Sequence, residues 1–175
     1  ASFDFKSDGA TVSETQPDQF ISPYLKHIDK SGTATTVIVG YTNALVKDYN
    51  TAVRTHLFPN GRLLEPNDRI MVVRNNYHYG IDLFNGQTGT VMSVGDTAET
   101  RTIYLNAGLD ENGHRKNIQV PLTFRDAIIR FESLDGIKHD ITCKYLEELL
   151  SSKHAELSSD QSKALYVDFK NRYPN

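Results

Sequence analysis

Arg69 to Val94 reads RIMVVRNNYHYGIDLFNGQTGTVMSV, and the fold turns on how this stretch is divided. Under a period-2 reading Ile70 and Val72 face one way, and Arg69, Met71 and Val73 the other, in a run rich in β-branched residues. Asn85-Gly86 predicts a tight hairpin turn of type I′, a geometry that needs positive φ at both central residues. Gly89 is expected to let the chain bend before Thr90 to Val94 returns as a strand. A strand, a turn and a returning strand on this spacing predict a small, strongly curved antiparallel barrel.

Between those strands lies Arg74-Asn75-Asn76-Tyr77-His78-Tyr79, a run of hydrogen-bond donors and flat rings without an acid. A core-directed strand would not spend six residues this way. Such a run suits a surface that stacks on bases and touches phosphates. It equally suits a polar loop whose tyrosine rings cover the barrel end.

Composition bounds the function. The chain has 175 residues, enough for one domain or two small ones, and 38% hydrophobic content can fill a core. A net charge of −3 provides no global field for nucleic acid, so any such site must be local. The single cysteine, Cys143, forms no intrachain disulfide, which fits a reducing, cytoplasmic compartment. It ends a strand-like run and reads as a buried structural thiol rather than a nucleophile. Membrane insertion is not expected, since no apolar run approaches the roughly 20 residues needed to span a bilayer. Ala1 to Thr15 is polar and unlike a signal peptide. The absence of an initiating Met suggests a processed or excised piece.

Catalytic motifs are missing. The chain contains no GxxxxGK[ST], HExxH, CxxC or GxSxG, and its six histidines show no metal-ligand spacing. His139-Asp140 and Glu147-Glu148 read as solvated faces rather than acid–base pairs. No catalytic residue and no metal site is therefore assigned.

Upstream of the barrel, Ser22-Pro23 predicts a helix start, with Tyr24, Leu25 and Ile28 as its stripe and Ser31-Gly32 as its stop. Residues 33–35 read as a linker. Thr36 to Tyr41 predicts a strand buried on both faces, after which Thr42 or Asn43 caps a helix. Leu45, Val46, Tyr49, Ala52, Val53 and Leu57 form that helix's apolar stripe, and Pro59-Asn60-Gly61 ends it. This is half of an α/β unit without a parallel neighbour, so its sheet is expected to continue elsewhere. Downstream, Gly95-Asp96-Thr97 predicts a turn. Separate strands are expected at 101–105, 117–122, 127–131 and 137–142, with turns at Asp110 to Gly113 and at Asp135-Gly136. Lys144 to Ser152 and a segment capped by Ser158 or Ser159 predict two closing helices. The last carries Leu165, Tyr166, Phe169 and Tyr173, as though a partner surface were missing.

Val37 to Asn43, followed by Val46, Asn50 and Arg54, resembles the opening of the second RecA-like domain in superfamily 1 DNA helicases of the RecD type. Asp68 to Tyr77 and Phe84 to Val91 resemble that family's SH3-like insertion. Gln87 and Thr88 stand around its usual acidic position. The resemblance spans Val37 to Val94 and reaches the later elements only by their order. It implies an α+β chain: a partial α/β (RecA-like) segment at 1–62, an inserted SH3-like antiparallel barrel at 63–143, and helices at 144–175 returning toward the motor domain. Related proteins are described as the alpha chain of exodeoxyribonuclease V, with roles in DNA repair and recombination.

By that resemblance the parent hydrolyses ATP with Mg and moves on single-stranded DNA, 5′ to 3′. This piece lacks the phosphate loop, holds no cofactor and is inactive alone. Its implied partners are single-stranded DNA and the remainder of the helicase chain. The barrel is expected along the DNA path, and the start of the second motor domain as one wall of the ATP cleft. The DNA-contact candidates are Thr42, Asn43, Arg74, Asn75, Asn76, Tyr77 and Tyr79. Arg54 either reaches a phosphate or pairs with Asp48 or Glu65. The alternative is an SH3-like protein-interaction module without nucleic-acid binding, although Trp, favoured in peptide grooves, is absent. A small enzyme of another class lacks any triad, metal or phosphate motif to support it.

Overall fold

The computed structural model describes residues 19–31, 36–109, 113–152 and 156–174. The expectations for residues 1–15, 33–35 and most of the Asp110 to Gly113 turn lie outside them. The chain divides into two compact units, Ala1–Gly61 and Arg62–Asn175.

In the first unit α1 spans Ile21–Ser31 and α2 spans Asn43–Leu57. Pro23 sits inside the first turn of α1, where its missing N–H costs nothing. Thr42 caps α2, its hydroxyl accepting from the Leu45 N–H at 3.2 Å. Ile28 of α1 is buried, whereas no residue of α2 is fully buried. The helices meet through an edge-to-face pair of Phe20 and Tyr49 at 4.8 Å, and through His56 against Asp29 at 3.0 Å.

The expected buried strand at Thr36 to Tyr41 is not there. Residues 36–40 form no strand, and Val37, Val39 and Tyr41 are 79, 87 and 91% exposed. A strand exists only when a neighbour takes its N–H and C=O groups, and no described segment does so. β-propensity without a partner leaves the segment unpaired.

The second unit is an α+β fold. Its antiparallel sheet has four strands in the order β1 (Arg69–Met71), β2 (Thr88–Leu109), β3 (Arg115–Glu132) and β4 (Lys138–Leu146), curled into a half-barrel. Two short helices follow, α3 (Glu147–Ser151) and α4 (Ser159–Arg172). The strands predicted at 101–105, 117–122 and 127–131 are thus parts of two long ones, and Gly95-Asp96-Thr97 is a bulge inside β2 rather than a turn. The helix predicted from Lys144 begins only at Glu147, because Arg125 and Asp126 of β3 still offer partners to Tyr145 and Lys144.

Surplus residues on β2 produce the curl. Met92 has no partner opposite, Gly95 to Thr97 face the single Asp126, and Ala107 with Gly108 face the single Lys116. Each surplus bends the longer strand and raises its twist. The central bulge leaves carbonyls without ladder partners, and two arginines take them. Arg125 donates to the Gly95 carbonyl at 3.0 Å and to that of Asp96 at 2.6 Å, and Arg62 reaches Gly95 at 3.3 Å and the Asp96 carboxylate at 2.9 Å.

The same bend divides the core. On β3 the buried residues are Val120, Leu122 and Phe124, then Ala127, Ile129 and Phe131. The parity changes while the β3–β4 register stays unbroken, so the two sets point to opposite faces. One face packs Leu83, Ile129, Phe131 and Ile141, with Leu64, Val91 and Ala127 beside them. The other packs Leu105, Val120, Leu122 and Phe124 against Ala164 of α4.

An ionic lattice holds α4 there. Asp168 is buried one turn beyond Ala164 and accepts from Arg101 at 2.6 Å. Arg101 also donates to Glu99 at 2.7 Å and lies 4.1 Å above the Phe124 ring. Arg172 bridges Asp168 and Glu99, and Lys144 bridges Glu99 and Asp126. Charges on the described members balance, which a buried carboxylate requires. Of the expected stripe on α4, Leu165 packs against this core, while Tyr166, Phe169 and Tyr173 face outward at 60, 60 and 65% exposure.

Two expectations follow. Gly89, predicted to bend the chain, lies in β2 opposite Phe131. A Cβ there would come within 2.6 Å of the Phe131 ring, so the residue makes room for the ring. Gly89→Ala should cost about 1–3 kcal/mol in chemical denaturation, through overpacking. The Arg101 hydrogen bond, opposed by desolvation and aided by Lys144, holds the Glu99 carboxyl at about 2, below its ordinary 4.5. A depressed folded-state value means the contribution is intact above about 4.5 and is lost as pH falls toward about 2. An acid titration followed by circular dichroism should show α4 loosening in that window, and Glu99→Gln should remove the step.

Candidate nucleic-acid interface

The acid-free run is held as a rigid loop. After β1 the backbone leaves the sheet. It is caught twice, by Val72 against Gln87 and Gly86, and by Asn76 against Leu83 in a pair of 2.8 Å bonds. Ile70, Val72, Ile81 and Leu83 anchor it from below, and Met71 and Val73 point outward.

Asn85-Gly86 closes the far side, in a form other than the one expected. Gln87 N–H donates to the Phe84 carbonyl at 3.0 Å, Gly86 has φ +88° and Asn85 does not have positive φ. That sign pattern is a type II turn, with glycine at the position requiring positive φ. The turn joins an irregular loop to β2 rather than two paired strands, so the twist that favours type I′ is not imposed.

The seven candidates divide by role. Asn75 donates to the Tyr77 hydroxyl at 3.0 Å and accepts from the Asn85 N–H at 2.8 Å, tying the run to the turn. Asn76 accepts from the His78 N–H at 2.9 Å and sets the tip. Both amides therefore hold the loop. Arg74, Tyr77 and Tyr79 are exposed, the tyrosines at 57 and 46%, and among the described residues Arg74 has no ion pair. These three can meet a ligand. Thr42 and Asn43 belong to the other unit, where both are exposed and Thr42 is committed to its cap. Arg54 lies 5.7 Å over the Phe58 ring.

Met71, Val73 and Phe84, 60, 71 and 44% exposed, join the tyrosines on this unit's surface and were not singled out from sequence. The outward parity of Met71 and Val73 was the available signal. The other candidate chemistry is engaged structurally. Asp140 takes a two-pronged contact from Arg130 at 2.6 and 2.7 Å, which keeps its carboxyl below the usual range. Glu147 pairs with Arg125 at 2.6 Å, and Glu148 accepts the Thr123 N–H at 2.9 Å. Burial, with the Asp126 charge, pushes the half-buried Cys143 thiol up, which disfavours the thiolate a nucleophile needs.

Among the described residues no group of three or more His, Cys, Asp or Glu side chains could hold a metal ion, and no helix is long and apolar enough to cross a membrane. Neither a scan against models of protein families nor a search of curated proteins returns a match to this chain.

Asn75→Ala should cost the loop about 1–2 kcal/mol by removing two bonds at once. Hydrogen exchange should report it as lost protection of the Asn85 amide, with the amides of β3 unchanged.

Proposed function

We propose that this chain is a non-catalytic piece of a superfamily 1 DNA helicase of the RecD type, and that the Arg74–Tyr79 loop contributes single-stranded DNA contacts. In this reading residues 1–62 open the second RecA-like motor domain and supply part of the ATP-cleft wall. The half-barrel is its SH3-like insertion, and ATP and Mg act in the parent protein. The observation that carries it is the loop itself: an exposed cation and two exposed tyrosines, with no acid from Arg69 to Ile81, on a backbone fixed by two asparagines. Stacking on fixed rings needs no sequence readout, and one cation can serve the strand's phosphates. The unpaired, apolar Val37 to Tyr41 segment also supports the reading, since a strand of a larger sheet would expose these residues when its neighbours are absent.

The second reading is a protein-interaction module. Exposed Met71 and Val73 favour it, because a nucleic-acid surface has less use for non-aromatic apolar side chains.

Fluorescence anisotropy with a labelled single-stranded oligonucleotide separates the two. Under the DNA reading the affinity falls as salt rises, because phosphate contacts release counterions. Tyr77→Ala should weaken binding by about 5- to 150-fold, the equivalent of one lost base stack, and Arg74→Ala should flatten the salt dependence. Absence of binding at any salt would remove the loop from the DNA path and favour the protein-interaction reading.

A further inference from the structure

Sheet edges are templates for further pairing, and this sheet closes most of its own. The outer side of β4 presents Lys138, Asp140 and Lys144, charges that discourage an added strand. β1 has only three residues. Beyond the end of β4, the next outward N–H of β3 belongs to Thr123 and is taken by both oxygens of Glu148, at 2.9 and 3.0 Å. The one after that would be residue 121, which is proline and has no N–H.

The outer edge of β2 is different. Thr123 N–H points away from β2, so Val120, Leu122 and Phe124 face it and bond to Ile103, Arg101 and Glu99. The N–H and C=O groups of Ala98, Thr100, Thr102, Tyr104 and Asn106 therefore point outward. β1 covers only Thr88 to Thr90, and the Asn67–Asp68 turn covers Val91. No described segment pairs with β2 from Ala98 to Asn106 on this side. The run is regular, bounded by bulges, and its outward side chains carry no charge, proline or glycine.

We propose that this edge pairs antiparallel with the same edge of a second copy of the chain, about a two-fold axis at Thr102. In that register Thr100 stands opposite Tyr104 of the second copy and Ala98 opposite Asn106. On the other face Arg101 meets Ile103 and Glu99 meets Leu105. No like charges stand directly opposite one another. A register centred on Arg101 would set two guanidinium groups side by side. Thr102 is the midpoint of the open run from Ala98 to Asn106, so this axis pairs every outward group of the run, and each copy satisfies the backbone groups that the other leaves open in an isologous contact. The pairing uses residues outside the Arg74–Tyr79 loop and stands whether or not that loop binds DNA.

Sedimentation velocity of the full chain tests it. A dimer is expected at high micromolar concentration, with slowed exchange at the Thr102 and Tyr104 amides. Thr102→Lys, on an exposed side chain, should give a folded monomer by placing two ammonium groups at the axis. Thr102→Glu should do the same, and an equimolar mixture of the two variants should dimerise again. A wild-type monomer at every concentration overturns the proposal, as does a dimer indifferent to Thr102→Lys. Failure of the mixture to reassociate overturns the axis.

Discussion

Two antiparallel strands that contribute unequal numbers of residues cannot stay flat, and that mismatch between β2 and β3 governs the second unit. Every surplus on β2 must go into curvature. The curvature lets one sheet wrap Leu83 on one face and receive α4 on the other. Its cost is a set of carbonyls without ladder partners. Arg62 and Arg125 meet that cost because a guanidinium can serve several acceptors in one plane.

Charge then does inside the fold what apolar contact does elsewhere. The inner face of α4 presents Asp168 to the sheet, a residue that a hydrophobic stripe analysis assigns to solvent. The sheet answers with Arg101, whose guanidinium also covers Phe124. With that lattice on the inside, the aromatic residues of α4 are left outside. This is why the helix start was legible from its serine cap, which the structure completes as a Ser158–Gln161 capping box, while the charged side of its packing face was not.

Local signals were read where local physics decides. Thr42 and Ser158 cap, each one of two candidates the sequence offered, Ile70 and Val72 turn inward, and Gly136 lies with positive φ in the turn that joins β3 to β4. Signals that depend on a distant partner were not. Nothing in Thr36 to Tyr41 says whether a neighbouring strand is present. Nothing within Gly95 to Thr97 says that two arginines will stabilise a bulge there. At the candidate interface the residue types were legible but the division of labour was not. Asn75 and Asn76 look like free donors in the sequence, and their partners, the Asn85 and His78 N–H groups, emerge only from the loop's path.

β3 is one wall shared by two interiors. Its Val120, Leu122 and Phe124 serve one face, and its Ala127, Ile129 and Phe131 the other. A strand with one buried face can slip by one residue and lose one core. If β3 slipped, both interiors would turn out to water together, and the Thr123–Glu148 bond and the Arg125 contacts would break with them. The correct alignment is therefore guarded twice by a single strand.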